Sequence, residues 1–278
     1  MKLIAIDMDE TLLRENKTYD VERCRHLFKE LHQMGHLLCI ASGNALSKLQ
    51  VYFDKEVQSL LYFASDNGNR ITKDNEMLEI LALTREQLNE VVPFFESHEG
   101  YHVVIATDKH AYVTLEDSPM RDEIASYFEG LTTLNSFDEI PEDEHLIILS
   151  TYSHNGLDAA KEIAKEFTKQ FPDIEIVTSE DVWMDAYHKE GGKGNAIKYL
   201  QEKYHISPED TLAFGDSMND ECMMHEAKYS IAMGNADPDL VKACRYQIGS
   251  NEDQAVLSTL EQFIRDGNLD FLEENRIK

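Results

Sequence analysis

Residues 3–12 of this chain read LIAIDMDETL, and the prediction of its fold starts from them. Its apolar residues LIAI predict a buried strand, and two carboxylates, Asp7 and Asp9, come where that strand ends. This spacing is not distinctive by itself, since Asp237 and Asp239 flank a proline at a predicted helix start. The first pair therefore needs support from the rest of the sequence before a function is inferred.

Strand and helix patterns alternate in both end regions of the chain. Residues 21–34 have apolar positions at helical spacing, HLLCIAS at 36–42 predicts a second strand, and ALSKLQVYF begins another helix. Later elements of the same alternation are GNAIKYLQEKY, DTLAFGD, NDECMMHEA, YSIAM, DPDLVKAC and RYQIGS. Alternation of this kind predicts an α/β fold with a doubly wound, Rossmann-like parallel sheet covered by helices on both faces.

The central region of the chain has a different pattern. Its predicted strands come in adjacent pairs, which favours an α+β module with an antiparallel sheet. The predicted elements are helices at 84–98, 118–130 and 157–171 and the strands VVIAT, YVTLE, HLIILST, IEIVTS and DVWMDAY. We therefore predict a core domain at 1–80 and 188–278, interrupted by an inserted α+β domain at 81–187.

Composition limits the possible partners and compartment. The chain has 278 residues, with 26 lysines and arginines against 53 aspartates and glutamates, which gives a formal net charge of −27. This charge repels nucleic acid and anionic membrane surfaces, so neither is expected as a partner. The four cysteines form no CxxC pair, and no apolar segment approaches membrane-spanning length. We expect a soluble cytoplasmic protein with reduced thiols.

Polar residues follow several of the predicted core strands. Asp7 and Asp9 follow the first strand, the dipeptide SG at 42–43 follows the second, and GDSMND at 215–220 follows a later one. Lys193, in GGKGN, opens a helix after a glycine-rich turn. Ligands of doubly wound sheets bind outside the carboxyl ends of the strands. Carboxylates, a lysine and small residues at helix starts suit a magnesium ion and a phosphate group there.

With these motifs the chain resembles the haloacid dehalogenase superfamily of aspartate-nucleophile phosphatases, and within it the Cof-like sugar phosphatases. DMDETL, ASGN, the lysine of GGKGN and GDSMND come in the family's order, and SDNGNRI at 65–71 resembles the segment that precedes the family's cap domain. The resemblance covers nearly the whole chain, and it implies that the domain at 1–80 and 188–278 is the catalytic core and that the insertion at 81–187 is the family's cap domain, which selects the substrate. It implies a magnesium-dependent phosphatase that hydrolyses small phosphorylated metabolites, sugar phosphates above all, through a phospho-aspartate intermediate.

The resemblance also implies a role for each matching residue. The catalytic residues would be Asp7 as nucleophile, Asp9 as general acid and base, and Lys193, which neutralises the phosphate and orients Asp7. The phosphate would be bound by Met8, Ser42, Gly43, Lys193 and Asn219. The magnesium site would consist of Asp7, Asp9 through its backbone carbonyl, Asp216, and Asp220 in a supporting position.

The proposed chemistry needs these residue types for separate reasons. A carboxylate nucleophile must approach an anionic phosphate, so a magnesium ion and a lysine have to offset the repulsion. A second carboxyl group near the scissile oxygen can protonate the leaving alcohol and later activate a water molecule. The two aspartates of DMDETL are therefore expected to have different surroundings.

Two positions depart from the family's pattern. Glu10 stands where the family most often has glycine, which tolerates backbone angles that glutamate resists. Asn44 stands where many relatives have arginine, which removes a fixed cation beside the phosphate pocket. The second departure affects the expected substrate affinity more than the expected reaction type.

Other functions share parts of this sequence pattern. A phosphometabolite-binding regulatory protein would keep the fold without turnover, and a phosphomutase would pass the phosphate to an acceptor other than water. The zinc-protease pattern HExxH also occurs, at 98–102, but Gly100 interrupts the predicted helix and a strand follows His102. We therefore expect no zinc chemistry at these histidines.

Overall fold

The structure of the protein, a computed structural model, describes residues 1–128, 130–179 and 182–277. In chain order its strands and helices are β1 (Leu3–Ile6), α1 (Val21–Gln33), β2 (Leu37–Ala41), α2 (Leu46–Gln50), α3 (Lys55–Gln58), β3 (Leu61–Ser65), β4 (Arg70–Lys73), β5 (Glu76–Ile80), α4 (Arg85–Glu96), β6 (His102–Thr107), β7 (Ala111–Val113), α5 (Pro119–Ala125), β8 (Leu131–Thr133), β9 (Leu146–Tyr152), α6 (Leu157–Gln170), β10 (Ile174–Ser179), β11 (Trp183–His188), α7 (Lys193–Tyr204), β12 (Thr211–Gly215), α8 (Glu221–His225), β13 (Tyr229–Ala232), α9 (Pro238–Ala243), β14 (Tyr246–Gln247) and α10 (Ala255–Asp266). Across the described ranges, none of these helices combines the length and the apolar composition that a membrane crossing needs.

These strands and helices belong to two compact units. The first unit consists of Met1–Glu79 and Gly192–Lys278, and the second consists of Ile80–Gly191. The second unit is therefore an insertion within the chain of the first. Its role as a cap that selects the substrate stays a prediction.

An eight-stranded sheet forms the centre of the first unit, in the order β14-β13-β12-β1-β2-β3-β4-β5. Neighbouring strands from β14 to β3 are parallel, and β4 runs antiparallel to β3. The chain continues from β1 to β2 and β3 on one side, whereas β12, β13 and β14 lie on the other side. The strand order thus reverses between β1 and β12, and doubly wound sheets bind their ligands at the carboxyl ends of the strands at such a point.

Apolar side chains cover both faces of this sheet. Ile4 and Ile6 of β1 belong to one buried cluster with residues of α1 and α10, whereas Leu3 and Ala5 belong to another with residues of α7 and α8. Burial of one leucine or isoleucine side chain contributes about 1.5–3 kcal/mol, so β1 is anchored from both sides. The predicted α/β fold with a doubly wound parallel sheet is confirmed.

Several elements of the first unit are not indicated by the sequence patterns. The strands β3, β4 and β5 and the helix α10 belong to this group, although all five residues of β3 are buried. A short apolar run such as LYFAS does not distinguish strand from helix by its periodicity. Its place in the sheet is decided by pairing with β2, which is a tertiary contact.

A six-stranded sheet forms the centre of the second unit, in the order β10-β11-β9-β6-β7-β8. The paired strands are antiparallel except for β7 and β8, which are parallel because α5 connects them as a crossover. The predicted α+β character is confirmed, but the parallel pair was not predicted. Helix α5 ends at Ala125, whereas the prediction extended to 130, and both Glu129 of that helix and Asp181 of the last predicted strand lie outside the described residues.

Candidate active site

The first strand ends at the residue that begins the candidate site. The backbone amide of Asp7 donates to the Phe214 carbonyl of β12 at 3.1 Å, which fixes its position between the two central strands. Residues Met8–Leu12 then form one wide turn, which is not regular helix at Asp9 and Glu10, and the Leu12 amide donates to the Asp7 carbonyl at 3.3 Å. The turn therefore holds the buried Asp7 carboxylate at the carboxyl end of the sheet.

A buried lysine connects three of the predicted site residues. Lys193 is the first residue of α7, and its side chain is only 1% exposed. Its ammonium group donates to Asp7 Oδ1 at 2.8 Å, to Asp220 Oδ1 at 2.6 Å and to Asn219 Oδ1 at 3.3 Å. Burial opposes the charge, but Asp220 and Asp7 outweigh it and raise the pKa of Lys193. The lysine is therefore protonated, and its three N–H groups each have an acceptor.

Three carboxylates lie close together beside this lysine. Asp7, Asp216 and Asp220 offer oxygens that all lie within 4.8 Å of one another. Burial, with repulsion from Asp220 and Asp216, raises the pKa of Asp7 well above its usual value although Lys193 opposes the shift. Burial and repulsion from Asp220 also raise the pKa of Asp216 to about 7. One lysine does not balance this cluster, and an all-oxygen site with excess negative charge fits a divalent cation such as magnesium.

Asp220 is bound from both sides. Its Oδ1 accepts from Lys193, and its Oδ2 accepts from the backbone amides of Asp216 at 3.0 Å and Ser217 at 3.1 Å. The backbone of Gly215 lies so close that a Cβ there would be 2.5 Å from Asp220 Oδ2. Asp220 therefore connects the backbone that carries Asp216 to the lysine, and this connection requires glycine at position 215.

Thr11 contacts the cluster, although sequence reasoning gave it no role. Its hydroxyl donates to Asp216 Oδ1 at 2.9 Å, and the residue is fully buried. The turn that carries Asp7 therefore also orients Asp216 from the opposite side of the strand-order reversal. The one sequence signal for this contact is a hydroxyl residue within DMDETL, close to the two carboxylates.

Asp9 lies on a more open part of the site than Asp7. Its side chain is 39% exposed, its Oδ1 accepts from Lys17 Nζ at 2.8 Å, and its Oδ2 accepts from Asn44 Nδ2 at 2.5 Å. Burial acts to raise the pKa of Asp9, but the bonds from Lys17 and Asn44 outweigh it, so the pKa is lowered. Asn44, at the position where arginine was expected, thus binds Asp9, and Lys17 supplies a cation that the sequence did not predict.

The residues after β2 lie at the same end of the sheet. Ser42 is buried, and its hydroxyl accepts from the Asn44 backbone amide at 3.2 Å. Gly43 is exposed, and a Cβ there would be 3.0 Å from Asn67 Oδ1. The same oxygen accepts from Asn219 Nδ2 at 3.5 Å. Asn67, to which the sequence assigned no role, therefore links the two segments predicted to bind phosphate.

All the residues predicted for the site lie in the first unit. Asp7, Met8 and Asp9 follow β1, Ser42 and Gly43 follow β2, Lys193 begins α7, and Asp216, Asn219 and Asp220 follow β12. The side chain of Met8 is fully buried in the apolar cluster, so this residue can reach a ligand only through its backbone. The chemical role of each residue stays a prediction at this point.

The histidines of the HExxH pattern do not share a helix face. Helix α4 ends at Glu96, and the Nδ1 atom of His98 lies 2.8 Å from the Phe94 carbonyl oxygen. Gly100 has a φ of +81°, and His102 begins β6. Among the described residues, the aspartate cluster of the first unit is the one group that brings three potential ligand atoms together.

Known proteins similar to this chain point to one family. A profile of the haloacid dehalogenase-like hydrolases matches residues 4–260. The 5-amino-6-(5-phospho-D-ribitylamino)uracil phosphatase of Escherichia coli is 25% identical over 275 residues, which cover 95% of this chain and 97% of that protein. The crystal structure of SMU.1108c from Streptococcus mutans has a TM-score of 0.87 at 27% identity, covering 95% of this chain and 99% of that one.

A second solved structure shares the fold at lower sequence identity. It is described as the haloacid dehalogenase subclass IIB sugar phosphatase BT4131, and it has a TM-score of 0.77 at 21% identity, covering 95% of this chain and 99% of that one. The resemblance that the four motifs predicted is thus confirmed over nearly the whole sequence. This chain belongs to the haloacid dehalogenase-like hydrolase family.

Proposed function

We propose that this protein hydrolyses small phosphorylated metabolites, with sugar phosphates as the substrate class, in a magnesium-dependent reaction through a phospho-aspartate at Asp7. The protein is a phosphatase of the haloacid dehalogenase-like hydrolase family, and so a phosphoric monoester hydrolase. The proposed magnesium dependence and phospho-aspartate rest on one observation, the cluster of Asp7, Asp216 and Asp220 around the single cation of Lys193.

A magnesium ion would be held by oxygen ligands alone. Asp7, Asp216 and the backbone carbonyl of Asp9 would bind it, with Asp220 in a supporting position. Burial and repulsion among the three carboxylates raise the pKa values of Asp7 and Asp216, and this excess of negative charge supports the assignment. Magnesium bound there would offset the charge of an incoming phosphate and of the nucleophile.

Asp7 is the candidate nucleophile because its position is fixed before a substrate arrives. Its Oδ1 accepts from Lys193, and its backbone amide is bonded to β12. Attack by the carboxylate on phosphorus would form an acyl phosphate as the bond to the leaving alcohol breaks. Attack by water would then release inorganic phosphate and regenerate the carboxylate.

Asp9 is the candidate general acid and base. Its carboxyl group is partly exposed, so a leaving group can reach it, whereas Asp7 is buried. It would give a proton to the leaving alcohol in the first step and take one from water in the second. Lys17 and Asn44 each bind one of its oxygens, and each oxygen keeps a second lone pair through which a proton can be transferred.

The substrate class rests on the relatives and on the charge of the chain. The Escherichia coli relative is named for a phosphorylated ribityl compound, and one structural neighbour is described as a sugar phosphatase. A net charge of −27 disfavours nucleic acid as a substrate or partner. All four cysteines are free thiols, which supports the proposed cytoplasmic location.

The second unit is the proposed substrate-selecting domain. It interrupts the first unit between Glu79 and Gly192 and contains none of the predicted catalytic residues. Replacing it with the corresponding segment of the Escherichia coli relative should transfer that protein's preference across a panel of phosphorylated metabolites. Hydrolysis of p-nitrophenyl phosphate is the control for the chemistry. A preference that stays with the first unit would refute the assignment.

The stereochemistry at phosphorus tests the phospho-aspartate directly. Attack by Asp7 followed by attack by water displaces phosphorus in line twice, so the configuration is retained, whereas direct attack by water inverts it. The substrate is a chiral phosphorothioate monoester that carries two oxygen isotopes, and it is hydrolysed with magnesium in water that carries the third. We expect retention in the inorganic thiophosphate that is released, and release of this product to water also separates a hydrolase from a phosphomutase. Inversion would exclude Asp7 as the nucleophile.

A further inference from the structure

Glu10 has a backbone conformation that glutamate disfavours. Its φ and ψ angles are 55° and 6°, in the left-handed region. A side chain there brings Cβ close to the backbone carbonyl, which is why glycine is the usual residue. The sequence predicted that Glu10 would resist such angles, yet it adopts them. Contacts from outside the turn must therefore compensate for the strain.

Asn251 makes the contact that reaches the Glu10 side chain. Its Nδ2 donates to Glu10 Oε2 at 3.1 Å and to the Leu13 carbonyl at 2.9 Å, and the residue is 2% exposed. We call residues 8–13, which follow the proposed nucleophile, the catalytic turn. One buried amide group thus binds the middle and the end of this turn together. The two residues are 241 positions apart in the chain, so the contact depends on the fold.

Two further amide side chains complete this contact. Asn235 Nδ2 donates to the Glu10 carbonyl at 2.9 Å, while its Oδ1 accepts from the Asn251 backbone amide at 3.1 Å. Gln254 Nε2 donates to the carbonyls of Leu12 at 3.1 Å and Asn251 at 3.0 Å. We call Asn235, Asn251 and Gln254 the amide brace. The brace bonds both the backbone and the side chain of Glu10.

The place of Glu10 in the chain connects the brace to the chemistry. Its neighbours are Asp9, the proposed acid and base, and Thr11, whose hydroxyl binds the proposed metal ligand Asp216 at 2.9 Å. A change in φ at Glu10 redirects the chain between these two residues. Holding Glu10 in the left-handed region therefore sets the direction of both side chains at once.

We propose that Asn251 is a positioning residue of the active site, which keeps Glu10 left-handed and thereby orients Asp9 and Thr11. Its side-chain amide donates to Glu10 and to the Leu13 carbonyl, both of which follow Asp9 in the chain. The inference rests on the proposed roles of Asp9 and Asp216. It predicts that the effect of Asn251 on turnover passes through the backbone conformation at position 10.

A double-mutant cycle tests this coupling. Asn251→Ala is made in the parent chain and in a Glu10→Gly chain, because glycine adopts left-handed angles without strain. In the parent chain we expect Asn251→Ala to lower kcat about tenfold or more, with KM changed less than about threefold. In the Glu10→Gly chain the same substitution should lower kcat by less than about threefold.

The melting temperatures of the four proteins separate positioning from general stabilisation. A purely structural role would lower the melting temperature in both backgrounds and leave the kcat of the folded protein unaltered, which would overturn the proposal. An equal loss of kcat in both backgrounds would overturn it as well. Asn268→Ala is the matched control, since this exposed asparagine also donates from Nδ2 to a carbonyl, that of Asp266, at 3.0 Å.

A second pair of variants covers the case in which Asn251→Ala does not fold. Asn251→Asp removes the donor and places two carboxylates together, and Glu10→Gln then supplies a donor from the other side. Recovery of kcat in the double variant supports the contact, and no recovery overturns it. The cycle needs only measurable phosphate release, so its outcome is independent of whether Asp7→Asn identifies the nucleophile.

Discussion

Asp7 in the first unit and Glu144 in the second are both buried carboxylates, yet their surroundings shift their pKa values in opposite directions. Around Asp7, burial and two further carboxylates raise the pKa, and the one lysine, which lowers it, pairs with both Asp7 and Asp220. Around Glu144, burial acts in the same direction, but hydrogen-bond donors outweigh it and lower the pKa. The two sites therefore differ in their neighbours: one lysine faces three carboxylates around Asp7, whereas hydrogen-bond donors contact the carboxylate of Glu144.

The contacts of Glu144 are complete within the second unit. Its Oε2 accepts from the Thr107 hydroxyl at 2.6 Å, and its Oε1 lies 2.9 Å from His110 Nδ1. The hydroxyl of Tyr112 donates to both oxygens at 3.1 Å. A buried carboxylate that is bonded in this way stabilises the turn between β6 and β7, and both of its oxygens already have donors within the protein.

The neighbouring groups distinguish a structural carboxylate from a candidate catalytic one. Repulsion among like charges costs folding free energy, so a cluster such as Asp7, Asp216 and Asp220 persists where a ligand or a reaction needs it. At Glu144, hydrogen bonds from Thr107, His110 and Tyr112 outweigh burial and lower the pKa. We therefore expect substitutions in the two places to affect different measurements.

The largest expected effect is on turnover in the first unit. Asp7→Asn removes the proposed nucleophile and also one of three repelling carboxylates. Turnover of p-nitrophenyl phosphate with magnesium should fall by about a thousandfold or more. The melting temperature without metal should be unchanged or higher. Near-normal turnover in this variant would show that Asp7 is not the nucleophile, and a large loss of stability would contradict the inferred repulsion.

Removal of divalent cations should have the next largest effect. Activity in excess EDTA should fall at least about a hundredfold, and magnesium should restore it better than calcium, which prefers looser coordination of higher number. Magnesium at about a hundred times its Kd should also stabilise the protein by about 2.7 kcal/mol, measured as a shift of thermal unfolding. Hydrogen exchange should slow in the first unit and not around Glu144. Full activity in EDTA would refute the metal site.

A smaller effect is expected for Glu144→Gln, which changes an acceptor into a group that must also donate. The unfolding free energy of the second unit should fall by about 2 kcal/mol at pH 7, because a buried hydrogen-bonded carboxylate is disrupted. The kcat for p-nitrophenyl phosphate should stay within about twofold of the parent value. A drop in kcat without a drop in stability would contradict a purely structural role for Glu144.

The pH dependence gives this variant a second readout. The folded pKa of Glu144 is below its usual value of 4.5, so its stabilisation is present above that pH and is lost as pH falls through the folded pKa. Hydrogen exchange in the second unit should therefore depend on acid pH in the parent and less so in Glu144→Gln. Identical pH profiles would contradict the assignment.

The sequence predicts the parallel sheet and the edge of that sheet at which the candidate site lies. Asp7, Lys193 and Asp216 stand directly after strands or at the start of a helix, and strands of a parallel sheet share one carboxyl edge, so their proximity follows from chain order. The hydrogen bond from Thr11 to Asp216 does not follow in this way, since it depends on the conformation of one turn. The bond between Asn251 and Glu10 depends on tertiary approach across the chain, and no local pattern indicates it.

The smallest effect concerns two threonines that make the same bond in the two units. Thr11 donates to Asp216 at 2.9 Å and Thr107 donates to Glu144 at 2.6 Å, and both residues are buried. Thr11→Val keeps the shape and removes the donor that orients a proposed metal ligand. The magnesium concentration for half-maximal activity should therefore rise about tenfold, because outer contacts of metal ligands typically matter by that factor.

Thr107→Val is the matched control for this prediction. It should lower the stability of the second unit and leave the magnesium requirement unchanged, since Glu144 binds no metal in our proposal. Thr11→Ser retains a hydroxyl and should lie within about threefold of the parent in its magnesium requirement. If both valine variants shifted the magnesium requirement equally, or if neither did, then the orientation of Asp216 by Thr11 would not distinguish the catalytic cluster from a structural carboxylate.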